Sequence, residues 1–278
     1  MTAAAGDRAP GDVLPRPAST VVLARDGTAG IEVLMLERSP KSSFMASAVV
    51  FPGGGLDGSD AAGLLARRCT GLDDAGASDR LGLETGGLAW FVAAIRECFE
   101  EAGVLLASEA GGRPVSFSHD AVDGLAAARR ALNAGEITFA DLCEREDLLL
   151  DVGGLRYFSH WLTPRGFAKR FDTRFFVAKM PDGQEPMHDD GEAVAQLFLR
   201  PSEAIARYEE RRLAIFPPTR LTLEAVAAHA SVAELLESAD SLGEVPLIEP
   251  AVIPGSDPME VLLPGDAGYE DLVARSLR

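Results

Sequence analysis

The sequence predicts one mixed α/β domain of about 18–278 carrying two helical insertions. Three observations predict it. Aliphatic and β-branched runs recur at strand period early and in the middle of the chain, helical periods lie between them, and no internal repeat or long linker divides the order into two domains. At 278 residues, 47% hydrophobic and 25% charged, the chain can bury a large core and lacks the composition of a disordered one.

Residues 1–17 read as a flexible leader, since no basic region followed by an apolar one marks a signal peptide. The runs STVVLAR and IEVLMLER are separated by a segment opening with Asp26-Gly27, a strong hairpin signal. A short apolar run then meets Pro52 and three glycines, expected to end the strand and to permit close backbone approaches. From Ala61 to about Gly87 the text is rich in Ala, Gly, Asp and Leu, with a helix at its start and no clear strand; this is the first insertion. A helical period follows from about Leu88, with Gly103 placed to terminate it. The second insertion, about 117–150, is helical and charged. Strands return in RYFSHWLTP and RFDTRFFVAK, the latter with Phe171, Thr173, Phe175 and Val177 on one face and Arg170, Asp172 and Arg174 on the other. An acidic loop, a strand AQLFLR and a small helix near PSEAIARY come next. One helix over RLTLEAVAAHASVAELLE with Thr219 as N-cap, and a late strand in MEVLLPGD, complete the chain.

Charge and cysteine usage exclude several classes of function. A net charge of −17 without a basic run repels duplex nucleic acid. No apolar run approaches the roughly 20 residues of a membrane span. Cys69, Cys98 and Cys143 are scattered with no CxxC pair, which suggests a reducing compartment, the cytoplasm by default, and neither a disulfide framework nor a zinc site. The four histidines are equally scattered.

Chemistry concentrates in RECFEEAGV, Arg96 to Val104. At helical spacing Glu97, Glu100 and Glu101 share one face, while Val92, Ile95, Cys98, Phe99 and Ala102 occupy the opposite, anchoring side. Carboxylates this close repel one another, and a divalent cation reverses that balance. Hard oxygen ligands without His or Cys favour Mg²⁺ or Mn²⁺, and Mg²⁺ takes phosphate oxygens as further ligands. Arg96 could fix a glutamate rotamer or reach a phosphate. A charge cluster by itself is ordinarily a solvated helix face; the glycine-rich loop upstream changes the balance.

Together, FPGGGLDGSD and RECFEEAGV resemble the two halves of the Nudix box, the metal-binding signature of hydrolases that cleave a nucleoside diphosphate linked to another moiety. The second half fits completely. In the first, Gly54 matches, Asp60 stands where the pattern has glutamate, and Ala61–Ile95 replaces the usual seven residues before the arginine. That long insertion, with flanking FMASAVVFPGG, WLTP, RFDTRFF, FPPT and LLPGD in order, resembles the peroxisomal coenzyme A diphosphatase branch, the Nudix motif 19 type.

The resemblance implies an α+β Nudix fold, a mixed β-sheet sandwiched between α-helices. It implies that Glu97, Glu100 and Glu101 hold Mg²⁺, with Mn²⁺ as substitute, and that Gly53 and Gly54 contact the substrate diphosphate. Arg96 joins this group, and the general base is left between Glu101 and an acid of the later loop such as Glu192; Asp189 and Asp190 could add a ligand. Arg38, Trp161, Arg170 and Arg174 are further substrate-binding candidates. The leading expectation is a Mg²⁺-dependent diphosphatase releasing adenosine 3′,5′-bisphosphate and a phosphopantetheine product from coenzyme A or its thioesters. Coenzyme A-cleaving relatives often carry a second arginine and a glycine after the position of Arg38-Ser39, where this chain has Ser43 and Ser47. NADH, ADP-ribose, nucleotide sugars or nucleoside triphosphates therefore stay open as substrates, as does a non-catalytic binding role. Pairing into a homodimer, common among relatives, is also left open.

Overall fold

The computed structural model describes residues 13–39, 47–61, 63–109, 112, 115, 119–187 and 193–276. Strands β1 (Arg16–Gly27) and β2 (Gly30–Arg38) form the expected hairpin, with Gly27 opposite Gly30 and Thr28-Ala29 as the turn. Val21 and Leu23 enter one core and Val22 and Ala24 the other, so β1 is buried on both faces and reads as a nearly continuous apolar run. Strand β3 (Val49–Val50) pairs with β2. The three glycines, expected to end a strand, form one: β4 (Gly53–Gly55) pairs antiparallel with Ala18–Thr20 of β1.

Between β4 and the box helix lie α1 (Gly63–Ala66), a short strand β5 (Cys69–Thr70) and α2 (Asp74–Leu81). The box helix itself is α3 (Leu88–Ala102), closed by Gly103 at φ 69°. It is followed by β6 (Ala107–Glu109), α4 (His119–Asn133), α5 (Phe139–Arg145) and β7 (Leu148–Asp151). A reciprocal cap opens α5: Thr138 Oγ1 accepts from Asp141 N, and the Asp141 carboxylate accepts from Thr138 N. Strands β5, β7 and β6 form a second sheet, in that order. The stretch 61–87, read as strandless, thus contributes a strand whose partner, Leu150 opposite Cys69, lies far along the chain. Two residues carry no period of their own to announce it.

The remaining elements are β8 (Arg156–Leu162), β9 (Phe171–Lys179), β10 (Ala193–Leu199), α6 (Pro201–Glu209), α7 (Pro217–Ala227), α8 (Val232–Asp240), β11 (Leu247–Ile248), β12 (Ala251–Val252), β13 (Val261–Leu262) and α9 (Tyr269–Ser276). The main sheet runs β10-β2-β1-β9-β8-β11 and is mixed, with β1 parallel to β9 and β8 antiparallel to it. The single helix expected from Thr219 is two. Pro217 and Pro218 fall in the first turn of α7, where their missing N–H groups have no intrahelical partner to lose. Ser231 then opens α8 by accepting from Glu234 N at 3.2 Å.

The sheet separates two cores. On one face Val21, Leu23, Leu34 and Phe176 pack against Phe91, Ile95 and Phe99 of α3, with the Phe91 and Phe176 rings 4.6 Å apart. On the other, Val22, Val33, Phe175 and Val177 pack against Leu223 and Val226 of α7 and Leu235 of α8. This is the expected α+β sandwich. Among the described residues no helix is long and apolar enough to cross a membrane.

Candidate active site

Helix α3 is buried around most of its first two turns, Leu88 to Ile95, because it lies between the sheet and the inserted segments. Its last two turns carry the carboxylates. Arg96 is the organising charge, almost fully buried among acids. Its Nε and Nη2 donate to the two oxygens of Asp60 at 2.8 and 2.9 Å, and Nη2 also donates to Gly55 O at 2.8 Å. Its Nη1 donates to Glu97 Oε1 at 2.7 Å and Glu100 Oε2 at 3.2 Å. Asp60 sits in a 3₁₀ turn, Gly58–Ala61, and also accepts from Asp57 N. This two-pronged pairing fixes the guanidinium plane and through it two of the three glutamates.

The third, Glu101, accepts from the backbone N–H of Gly53 at 2.9 Å. The glycines matter here for space and not for unusual backbone angles. A Cβ on Gly53 would lie 2.5 Å from Ser19 O, and one on Gly54 would lie 2.5 Å from Glu97 Cδ. Helix α3 packs on one sheet face, yet Glu97 and Glu101 line a cavity walled by Ala18, Thr20, Thr173 and Phe175 of the other face. The bare strand β4 is what lets the carboxylates reach past the sheet edge.

That cavity is about 430 Å³. Gly53–Gly55 and the glutamates form its polar end, with Arg38 and Lys169 also on its wall. Phe51, Trp161, Phe167 and Phe216 supply aromatic surface, and Val252, Met259 and Val261 bring the β12–β13 hairpin to it.

Burial pushes the Glu97 carboxyl up to about 7, Arg96 pulling the other way and Glu100 adding to the rise. Burial likewise raises Glu100. Burial would lower Arg96, but Asp60, Glu97 and Glu100 hold it well above its ordinary value. Among the described residues no three acidic, His or Cys side chains are gathered as a ready-made metal cage. Arg96 and Gly53 N occupy the carboxylates instead. The donor set still fits a hard divalent cation, because its acids are oxygen donors, two of them face the cavity, and burial leaves Glu97 short of compensating positive charge.

The profile of the NUDT19 Nudix domain matches residues 74–225. The chain is 31% identical over 284 residues to the acyl-coenzyme A diphosphatase NUDT19 of Gallus gallus, covering 88% of this chain and 74% of that protein. The chain belongs to the NUDT19 Nudix family. The human acyl-coenzyme A diphosphatase NUDT19 is similar at 32% over 272 residues, covering 86% of this chain and 72% of that one. A crystal structure of a Nudix hydrolase from Alicyclobacillus acidocaldarius superposes with a TM-score of 0.66 at 28% identity, over 84% of this chain and all of that one. The protein is therefore a Nudix hydrolase, a class that generally uses divalent metal ions.

Within this Nudix site the sequence-derived candidates separate into groups. Glu97, Glu101, Gly53, Gly54, Arg38 and Trp161 line one cavity, and Arg96 and Glu100 stand directly behind it. Arg170 and Arg174, expected to bind substrate, do not line it. Arg170 is buried and donates to Thr163 O, Val13 O and Glu249, tying the start of β9 to the C-terminal segment. Arg174 points to the opposite face, its guanidinium 3.9 Å from the Trp90 ring. The alternation of β9 placed them with the polar face, and only the packing shows that the cavity faces the apolar one. Glu192, Asp189 and Asp190 lie outside the described residues. Asp60 was legible only as a departure from the family pattern; its role as the partner of Arg96 depends on the fold bringing the two together across the first insertion. Cys98 is fully buried, and burial pushes its thiol up, as its anchoring position suggested.

Gly54→Ala tests the glycine gap. The added methyl displaces Glu97 from Arg96 and from the cavity, and a misplacement of about 1 Å can cost roughly a hundredfold in rate. Turnover is expected to fall by about that factor, with a much smaller change in melting temperature. Unchanged kinetics would show that the close approach has no catalytic consequence.

Proposed function

We propose that the protein is a metal-dependent diphosphatase that cleaves coenzyme A or acyl-coenzyme A to adenosine 3′,5′-bisphosphate and a phosphopantetheine or acyl-phosphopantetheine product. The observation that carries this reading is one cavity with two characters: carboxylates beside a bare glycine strand, and aromatic and aliphatic side chains over much of the remaining wall. A substrate with a diphosphate and a long, largely uncharged arm matches that division. The chicken and human relatives bear the name acyl-coenzyme A diphosphatase, which supports the same choice.

Glu97, Glu100 and Glu101 would hold Mg²⁺, or Mn²⁺ in its place. When bound, the cation neutralises charge on the diphosphate as its P–O bond breaks. Arg96 orients Glu97 and Glu100 and opposes the burial that favours their protonation, while Gly53 N–H fixes one oxygen of Glu101. The candidates for the base that takes a proton from the attacking water are Glu101 and Glu192, and the position of Glu101 on the cavity wall supports the first. Arg38 and Lys169 offer positive charge to phosphate oxygens, and Trp161 offers a flat apolar surface to the nucleotide or the arm.

Chromatography of products from coenzyme A, acetyl-coenzyme A, a long-chain acyl-coenzyme A, NADH, ADP-ribose and dATP, each with Mg²⁺ and with chelator, tests the proposal. Adenosine 3′,5′-bisphosphate from the coenzyme A compounds, absent with chelator, is the expected result. Preference for NADH or ADP-ribose overturns the substrate, and turnover undiminished by chelator overturns the metal.

A further inference from the structure

Helix α3 is poorly provided for by its own sequence. Its N-cap, Gly87, has no side chain to offer, its first turn holds no acid, and its last turn holds no base. Glu97, Glu100 and Glu101 instead place negative charge toward the C-terminal end, where the helix dipole is already negative. The arrangement suits a bound cation and works against the isolated helix.

Both insertions make up the deficit, one at each end. At the N-terminus the Asp74 carboxylate of α2 accepts from Gly86 N and Leu88 N, each at 3.0 Å, and Ser78 Oγ accepts from Gly87 N at 2.9 Å. A Cβ on Gly87 would lie 2.5 Å from Ser78 Cα, so the contact requires glycine. At the C-terminus Arg129 of α4, only 3% exposed, donates from Nε to Glu100 O at 2.9 Å and from Nη2 to Glu101 O at 2.8 Å. Its Nη1 donates to Met187 O at 2.6 Å, and Met187 N in turn donates to Ala102 O at 2.9 Å. A planar guanidinium spans three carbonyls that a lysine ammonium could not reach together.

We propose that Arg129 is a positioning residue of the Nudix site: by gripping the backbone of Glu100 and Glu101 and opposing the negative helix end, it sets the orientation of two metal-ligating carboxylates. The second insertion thereby acts on the site without lining the cavity. This rests on the diphosphatase reading for its turnover measurements, and on the carboxylates alone for its metal-binding measurement.

The test compares Arg129→Met, Arg129→Lys and Leu235→Ala, the last a void-forming change at a buried residue of α8 that neither lines the substrate cavity nor touches α3. Mn²⁺ affinity by electron paramagnetic resonance, kcat and KM for the best substrate of the panel, and melting temperature are measured for each. Arg129→Met is expected to weaken Mn²⁺ binding about tenfold, the scale of losses when a metal ligand's support is removed. A matching fall in kcat with KM changed less than twofold should accompany it, and Arg129→Lys should lie between. Leu235→Ala should lose melting temperature and keep Mn²⁺ affinity and kcat. If Arg129→Met does not fold, Arg129→Lys carries the comparison. Arg129 variants that match Leu235→Ala in every measurement would reduce Arg129 to a structural cap and overturn the proposal. Weakened Mn²⁺ binding in a protein that leaves coenzyme A intact would keep it and discard the substrate.

Discussion

Glu97→Gln is expected to lower turnover by about a thousandfold while leaving the metal-free protein at least as stable as before at pH 8. The rate estimate follows from losing several kcal/mol of charge stabilisation at the diphosphate, at about 1.4 kcal/mol for each tenfold. The stability follows from burial. The Glu97 carboxyl is pushed up to about 7 in the folded protein, above its ordinary value of 4.5. Below about pH 4.5 it is protonated whether the chain is folded or not, and it contributes nothing. As pH rises from there to about 7 the unfolded chain releases this proton first, so folded-state stability is lost across that window and stays lost above it. Glutamine keeps an acceptor for Arg96 Nη1 and removes the charge. Melting temperatures of both proteins from pH 4 to 8 with chelator should converge at the acid end and favour the variant at the alkaline end. Parallel curves would mean that Glu97 carries no burial penalty, and turnover within tenfold of the parent would remove it from the site.

Asp60→Ala is expected to cost about 3–5 kcal/mol of stability and nearly all activity, because it leaves a buried guanidinium without its two-pronged partner. The neighbouring acids cannot replace it. Glu97 and Glu100 both lie on Nη1, whereas Asp60 takes Nε and Nη2. Asp60→Glu, which restores the residue of the family pattern at this position, should retain much more of both properties than alanine does. Urea unfolding of the two variants beside the parent separates these outcomes, and an alanine variant within 1 kcal/mol of the parent would contradict the assigned role.

Legibility divided along physical lines. The β1–β2 hairpin, the alternation of β9 and the amphipathic box helix were readable because each is set by residues a few positions apart, through a turn or a period of 2 or 3.6. The Glu97, Glu100 and Glu101 face was readable for the same reason. The break between α7 and α8 was missed although its signal, Ser231 three residues before Glu234, is local; the continuing apolar period masked it.

What the sequence by itself determined is the candidate site: an arginine and three glutamates on one helix, a glycine run to let them through, and enough flanking pattern to place the chain among Nudix hydrolases. Only the tertiary structure decided which of the candidate arginines line the cavity, that Asp60 answers Arg96, that a C-terminal hairpin walls the site, and that the two inserted segments meet the ends of the box helix. These depend on contacts between residues far apart in the chain, such as Arg129 with Glu100 and Glu101 or Val252 with the cavity of β1 and β9. Local periodicity fixes which way a side chain leaves its own element, and packing alone fixes what it meets.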